Sequence, residues 1–456
     1  MNSLPNFSHG GYIDQEHEDP VTPKAGSNIG LSDDKFLHLI TTELLRDAHV
    51  QAWDREVGET LSAMMTMASY DDRAKAVHRG FFGAAVSASL GPYPSVRTPR
   101  WESFMTDDHT PVELSWAWSD EQSTPTVRYS VEPIGWTAGS ANEQATASLL
   151  NRTRSYAQGL DLSWYRHSLQ NGAVSSSQTF SAFDLEDDGS TTVKSYFIPT
   201  VKASSLGISS LDLVEQAIQS LPPLGPEYSS TTLMGQFSLL KDFILCHHPT
   251  KQPVEEIVAI DCVDPTDSRV KIYIRSKNTT ISSMIDVMSL GGRLPFLTDT
   301  VMSSLKELWV AVFGSGAEDD VGALSRPLPT IDHRTSGILY YLELKPGAPL
   351  PKPKVYLPVR HYARDDEQIA RGLSGFLQRR GKSLANGVTY YEGVKSLCKH
   401  RRLEDGLGFH TYITCAVKNG SVAVSTYLNP ELYHPSSLPS GISFLVRMDT
   451  NAETYV

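Results

Sequence analysis

The chain has 456 residues and only four cysteines, Cys246, Cys262, Cys398 and Cys415, with no CxxC pair among them. That spacing supports neither a disulfide framework nor a zinc ribbon, and reads as reduced, mostly buried thiols. Long apolar runs are also missing. No window approaches 18 consecutive apolar residues, so no transmembrane helix is expected. The first twenty residues, MNSLPNFSHGGYIDQEHEDP, lack a basic segment followed by an apolar one, so no secretory signal is expected. These absences together point to the cytoplasm. Positive charge is in deficit: 40 Lys and Arg stand against 52 Asp and Glu, a net charge of −12. This excludes a nucleic-acid coat or an anionic membrane surface as the expected partner. Any anionic ligand must then be held by a local cluster of cations. With 32 glycines and 27 prolines the chain is neither collagenous nor of disordered composition.

Several nucleotide and metal signatures are absent too. There is no GxxxxGK[ST] loop and no GxGxxG after a strand. The acidic pairs Asp33-Asp34, Asp71-Asp72 and Asp365-Asp366 all fail DDxxD at the fifth position. Without that carboxylate pair to hold magnesium, stabilising a diphosphate leaving group falls to cationic side chains.

What is present is a repeated order of elements. Residues 1–32 are polar and aperiodic and read as a flexible arm. Residues 33–435 read as one domain, and 436–456 as a tail. Helical periodicity covers 34–66 and 72–89, followed by alternating, strand-like runs at 111–118 and 126–134. The order then recurs: helices 143–158 and 161–170 with strands 178–185 and 191–198; helices 208–221 and 231–246 with strands 256–262 and 268–275. Helices 280–290 and 297–314 with strands 337–344 and 353–359 make a fourth unit. Helices 365–380 and 384–399 with strands 409–416 and 421–428 make a fifth. Five helix–helix–strand–strand units predict an α+β fold, an antiparallel sheet with helices on one face. Ten strands suffice to close a barrel and so remove exposed edges.

Residues two apart in a strand share a face. In 126–134, Val127, Tyr129 and Val131 oppose Arg128, Ser130 and Glu132. In 111–118, Val112, Leu114 and Trp116 oppose Glu113, Ser115 and Ala117. Lys194 and Tyr196 share a face, as do Arg269, Lys271 and Tyr273, then Lys354 and Tyr356, then Ser425 and Tyr427. Helices need the aliphatic face, so the cation and tyrosine face is expected to line a polar lumen. An open sheet whose cations face water is the alternative. The recurrence of cation-x-Tyr at Lys194/Tyr196, Lys271/Tyr273 and Lys354/Tyr356 favours the lumen.

Arg128, Lys194, Arg269, Lys271 and Lys354, converging in one lumen, would repel one another and require a polyanion such as a diphosphate. Arg offers a planar fork to phosphate and Lys a point charge. Tyr196, Tyr273, Tyr356, Tyr412 and Tyr427 can attract a carbocation through their π faces, by about 0.5–2 kcal/mol each, and exclude quenching water. Read singly, each is equally a core or rim residue. The combination suggests ionisation of an allylic diphosphate. Glu113 can accept a hydrogen bond from an aromatic N–H and so make the ring a better nucleophile; its other reading is an ion-pair partner for Arg128.

These stretches resemble the dimethylallyltryptophan synthase family of fungal aromatic prenyltransferases. The resemblance covers roughly residues 35–435. It rests on Pro111-Val112-Glu113-Leu114-Ser115, Val127-Arg128-Tyr129 with Glu132-Pro133, Lys194-Ser195-Tyr196, Ser268-Arg269-Val270-Lys271-Ile272-Tyr273, Leu290-Gly291-Gly292-Arg293, Lys354-Val355-Tyr356 and Ser425-Thr426-Tyr427-Leu428. It implies a ten-stranded antiparallel barrel of five ααββ units around a solvent-filled core. It implies that Glu113 contacts an indole nitrogen, that the five cations hold dimethylallyl diphosphate, and that the five tyrosines shield the dimethylallyl cation. No metal or other cofactor is implied.

Two departures bear on the acceptor. Relatives that use free tryptophan carry an Arg upstream of the Arg269 strand to hold its carboxylate, where this chain has Glu255-Glu256, which would repel it. They also carry a Lys on the strand before Lys194, near Phe180 here. Pro358-Val359-Arg360-His361-Tyr362 resembles relatives acting on larger aromatics. The expected acceptor is therefore an indole natural product, a cyclic dipeptide or indole diterpenoid. A phenol such as tyrosine or a hydroxylated polycycle is the alternative, and a non-catalytic ligand-binding barrel a remote one. The protein is expected to act as a monomer or homodimer. Cys246-His247-His248 is read as a helix end, Gly291-Gly292 as a helix C-cap, and Glu186-Asp187-Asp188 and Glu318-Asp319-Asp320 as solvated loops.

Overall fold

The computed structural model describes residues 33–94, 99, 101–119, 122–136, 142–170, 179–222, 224, 230–314, 326–418 and 420–437. The arm at 1–32, the loop Glu318-Asp319-Asp320 and most of the tail lie outside these. By its contacts the chain divides into Met1–Leu44 and Leu45–Val456; the described part of the first unit is the start of one helix.

Among the described residues ten strands form one closed, wholly antiparallel barrel, as the alternation predicted. They are β1 (Val112–Trp118), β2 (Thr126–Val131), β3 (Thr179–Leu185), β4 (Thr191–Phe197), β5 (Val254–Asp261), β6 (Val270–Ser276), β7 (Ile338–Leu344), β8 (Lys352–Leu357), β9 (His410–Lys418) and β10 (Ser421–Leu428). Each strand pairs with its neighbours in sequence, and β1 closes on β10 with Ser115 opposite Tyr427 and Ala117 opposite Ser425. Closure leaves no edge for another chain to extend.

Helices separate the hairpins. They are α1 (Asp33–Met67) and α2 (Asp72–Phe81); α3 (Asn142–Thr153) and α4 (Ser163–Gln170); α5 (Thr200–Leu206), α6 (Ser210–Gln219) and α7 (Ser230–Leu245); α8 (Ile281–Ser289) and α9 (Asp299–Phe313); α10 (Val359–Tyr362), α11 (Asp366–Gln378) and α12 (Tyr390–Leu397). The third and fifth units thus carry a third, short helix that periodicity did not predict. Side-chain caps set the starts. Asp71, Thr298 and Asp365 each accept from the backbone N–H three residues on, and Thr389 with Glu392 forms a reciprocal capping box.

The remaining differences have local causes. The expected helix 72–89 passes through a π turn at Phe82–Val86 and a 3-10 turn at Ser87–Ser89. Strand 353–359 stops at Leu357 because Pro358 has no N–H for the ladder. Helix 384–399 begins only at Tyr390, because Asn386 and Gly387 both take positive φ. Gly291 and Gly292 do follow the end of α8, at φ +66° and +83°, although Leu290 itself takes the left-handed cap position.

The core lies between barrel and helices. Val127, Tyr129 and Val131, Val270, Ile272 and Ile274, and Ile338, Tyr340 and Leu342 are buried outward from the sheet. They meet helical faces spaced three and four apart, such as Val301, Leu305, Leu308 and Val312 on α9. Helices α9 and α11 approach so closely that a Cβ at Gly372 would stand 1.7 Å from the Ala311 carbonyl oxygen. The inner face carries a separate cluster: Ala259, Tyr273, Leu339, Tyr356 and Tyr412, with Tyr196, Ile257, Tyr341 and Tyr427 against it. No helix among the described residues is long and apolar enough to cross a membrane.

Candidate active site

All eleven residues singled out from sequence face the lumen or line its two chambers. The lower chamber, about 830 Å³, is lined by Arg128, Lys194, Arg269, Lys271 and Lys354. The upper, about 650 Å³, is lined by Glu113, Tyr196, Tyr273, Tyr356, Tyr412 and Tyr427. The strand register explains the convergence. Arg128 stands opposite Asp184, Lys194 opposite Asp261 on its other side, Lys271 opposite Glu343, and Tyr341 opposite Lys354.

That register corrects one expectation. The cations do not depend on an incoming polyanion for all their neutralisation, because three carboxylates, the buried Asp184 and Asp261 and the half-buried Glu343, stand among them. Lys194 Nζ donates to Asp184, and Arg128 Nε lies 3.3 Å from the same oxygen. Lys271 Nζ and Arg269 Nε each donate to Asp261 at 2.5 Å, and Arg269 Nη1 reaches Glu343 at 3.1 Å. Burial alone would raise the Asp184 carboxyl, but Arg128 and then Lys194 hold it well below the usual carboxylate range. Five cations against three carboxylates still leave positive charge, and Lys345, Lys352 and Lys418 add more around the same chamber. Burial pushes Lys194 down to about 8 despite Asp184. Lys354 is held well below the ordinary lysine value too, by burial and then by Arg128, Lys194 and Lys271. Its ammonium sits among tyrosine rings, 5.0 Å from Tyr356 and 5.8 Å from Tyr341 and from Tyr427. Two polar atoms here have no hydrogen-bond partner, Arg128 Nε and Ser115 Oγ, on residues paired across β1 and β2.

Between the chambers runs a belt of rings. Tyr196 meets Tyr273 at 6.1 Å, Tyr273 meets Tyr356 at 5.7 Å, and Tyr356 meets Tyr427 at 5.7 Å and Tyr412 at 6.0 Å. Tyr341 and Phe180 extend it, Phe180 stacking on Tyr196 at 4.2 Å. Burial raises Tyr196, Tyr273 and Tyr356 well above the ordinary phenol value and Tyr427 to about 12. The belt therefore presents neutral π faces rather than nucleophilic phenolates.

Glu113 is not the partner of Arg128. It stands opposite Ser130 and accepts from Thr411 Oγ1 at 2.5 Å. A break in the β9–β10 register at Tyr427/Leu428 leaves Thr411 without a ladder partner and turns its hydroxyl inward. Burial pushes the Glu113 carboxyl up to about 7, against the Thr411 hydrogen bond and Arg360. A second bulge, between Glu255 and Ile257 of β5, turns Glu256 to the wall of the same chamber, while Glu255 stands opposite the outward-facing Ile274. Glu256 accepts from Arg275 Nε at 2.7 Å.

Sequence reading missed Asp184, Asp261, Glu343, Tyr341, Thr411, Arg275 and Arg360. Asp184 and Asp261 were within reach of the period-two argument, because each shares a face with a small residue, Ala182 or Ala259, on the first strand of its hairpin. Among the described residues, Cys398, His400 and Glu431 can bring one ligand atom each within 4.8 Å of one another. Arg401 Nε already lies 2.8 Å from that carboxylate, which opposes a metal cation there. Cys246-His247-His248 joins no such group.

The lumen can therefore hold an anion at one end and a neutral aromatic at the other, with a protonatable carboxyl beyond the belt. Residues 49–392 match the family model described as tryptophan dimethylallyltransferase. The chain belongs to this family. The prenyltransferase is 47 % identical over 407 residues to 4-O-dimethylallyl-L-tyrosine synthase of Claviceps purpurea, covering 86 % of this chain and 90 % of that one. It is 31 % identical over 412 residues to 7-dimethylallyltryptophan synthase of Aspergillus fumigatus, covering 84 % and 85 %. Its fold matches the crystal structure of AnaPT from Neosartorya fischeri with a TM-score of 0.69 at 20 % identity, covering 83 % and 94 %. The enzyme is an aromatic prenyltransferase with the barrel expected of that family.

Proposed function

We propose that this prenyltransferase moves the dimethylallyl group of dimethylallyl diphosphate to the phenolic oxygen of tyrosine or a close tyrosine analogue. The observation that carries this is Glu113, a carboxyl poised near neutrality in the upper chamber, across the tyrosine belt from the cation cluster. The 47 % identity to a tyrosine synthase supports a phenol over the cyclic dipeptide or indole diterpenoid expected from sequence. The argument from Glu255-Glu256 against an amino-acid acceptor also weakens, because Arg275 neutralises Glu256.

In this reading the diphosphate lies in the lower chamber against Arg128, Lys194, Arg269, Lys271 and Lys354. The C–O bond breaks with its electron pair leaving on the diphosphate, and the cations stabilise that charge. The dimethylallyl cation is left against Tyr196, Tyr273, Tyr356, Tyr412 and Tyr427, whose faces stabilise it and keep water out. A phenol oxygen in the upper chamber attacks the cation, and its proton passes to Glu113 as the C–O ether forms. The cationic side chains occupy the place that a metal takes at other diphosphate sites, so activity is expected to persist in EDTA.

Purified enzyme incubated with dimethylallyl diphosphate and a panel of phenols and indoles, with products assigned by NMR, tests the reading. O-prenylated tyrosine is the expected main product. Turnover of indoles with none of phenols would overturn it.

A further inference from the structure

Strand β9 enters the barrel out of step with its own alternation. Tyr412 and Ala416 line the lumen, while Ile413 and Cys415 belong to the outer core. Regular pleating would therefore turn Thr411 outward and His410 inward. The structure has the reverse. Tyr427 pairs with Tyr412 and Leu428 with His410, so Thr411 is the extra residue of a bulge, and its hydroxyl donates to Glu113 at 2.5 Å. His410 is fully buried on the other side of the sheet, against the helices α11 and α12. A bulge leaves a residue unpaired and disrupts the ladder, so something outside the sheet must hold it.

That hold comes from the helix layer. The β8 ladder ends at Leu357, opposite Ile413, before the bulge is reached. Asp366, the first residue of α11 and fully buried, takes over the backbone there. It accepts from the N–H of His410 at 2.8 Å and of Phe409 at 3.1 Å, and lies 2.7 Å from His410 Nδ1. Arg401 Nη2 donates to the same carboxylate at 2.6 Å and balances its charge. A carboxylate only accepts, so the His410 proton facing it sits on Nδ1, and Nε2 is left 3.0 Å from the Tyr390 hydroxyl on α12. Side chain and backbone of His410 are thus both fixed to the helices.

We propose that Asp366, His410 and Tyr390 are positioning residues for Glu113: they pin His410 to the helix layer, this holds the β9 bulge, and the bulge keeps the Thr411 hydroxyl on Glu113. The consequence for the reaction rests on the reading above, in which Glu113 receives the acceptor's proton. Without the anchor, β9 is free to return to regular pleating, which turns Thr411 away from Glu113 and residue 410 toward the lumen. A hydroxyl that donates to a carboxylate favours its charged form, so losing Thr411 makes Glu113 harder to ionise. The other groups that act on Glu113 are Arg360 on α10, Asp107 ahead of β1 and Tyr427 on β10. Arg360 and Asp107 stand 3.1 Å apart as a pair of their own.

The test reads the Glu113 carboxyl directly in the full-length enzyme. Infrared difference spectra across pH follow the carboxylic-acid band that Glu113→Gln removes, and the pH profile of kcat is taken in parallel with dimethylallyl diphosphate and L-tyrosine. His410→Phe keeps the ring and removes both nitrogens. It should raise the Glu113 midpoint from about 7 by about one pH unit, the loss of one hydrogen bond to a carboxylate. His410→Asn, whose amide still offers a donor to Asp366, should restore most of that shift. Thr411→Val should shift the midpoint as far as His410→Phe does, and the double variant no further, because both act through one hydrogen bond. A folded His410→Phe with an unmoved midpoint, or shifts that add in the double variant, would overturn the proposal. Should His410→Phe fail to fold, Tyr390→Phe, which removes a single hydroxyl, decides instead. A smaller upward shift that vanishes in the Thr411→Val background bears the proposal out, and no shift overturns it. A midpoint that moves while the acid limb of kcat stays in place would keep the anchor and remove Glu113 as the proton acceptor.

Discussion

The two ends of the lumen are built differently. In the lower chamber the ladder is regular, alternate residues point inward, and Asp184, Asp261 and Glu343 stand among the cations. In the upper chamber two bulges interrupt the ladder, and burial pushes the Glu113 carboxyl toward its neutral form. One end is electrostatically assembled before any ligand arrives; the other holds one carboxyl close to its neutral form on a single hydroxyl. Regular pairing gives a row of fixed charges cheaply, because β geometry repeats every second residue. Aiming a single carboxyl or hydroxyl at one atom needs a local break in that repeat.

The sharpest way to break this contrast is Lys194→Glu, which sets a third acid beside Asp184 and Asp261. Affinity for the thiodiphosphate analogue should fall on the order of a thousandfold, while tyrosine affinity stays within about twofold by calorimetry. An equal loss of both would mean that the two chambers do not act independently. Glu113→Gln addresses the other end. It should lower kcat by about 10²–10⁴ with donor affinity unchanged, as read by single-turnover kinetics and titration.

A smaller effect sharpens the role of the bulge at Thr411. Glu113 must be ionised to take a proton, so wild-type activity should fall as pH drops below about 7. The Thr411 hydroxyl favours the carboxylate, so Thr411→Val should move that acid limb upward by about one pH unit. A limb that stays in place would remove Thr411 from the chemistry. The smallest effect concerns protons at the lower end. Burial holds Lys194 near 8 and Lys354 well below the ordinary lysine value, and a bound diphosphate raises both. Calorimetry with inorganic diphosphate in two buffers should therefore find net proton uptake, reduced in Lys354→Met.

Much of the lower end and the belt was legible in the residue order. Lys194/Tyr196, Lys271/Tyr273 and Lys354/Tyr356 each lie two apart on a second strand, and a period of two needs no tertiary knowledge to read. Asp261 obeys the same rule beside Ala259 and was passed over, since a single acid near a strand end looks like a solvated turn. Thr411 obeys no rule visible in one strand. It lies out of phase with Tyr412 and Thr414, and only the mismatch between β9 and β10 turns it toward Glu113. Arg360 reaches the chamber from a four-residue helix that begins where Pro358 ends β8, a reach that no periodicity encodes.

The order of residues alone therefore determined the five repeats, the two-faced strands and the cation and tyrosine rows, because these follow from local periodicity and from burying one face under helices. Which acid meets which cation and which hydroxyl holds Glu113 were decided by the closed ring. Register between strands is a property of partners, and a bulge in one strand acquires meaning only against the strand beside it.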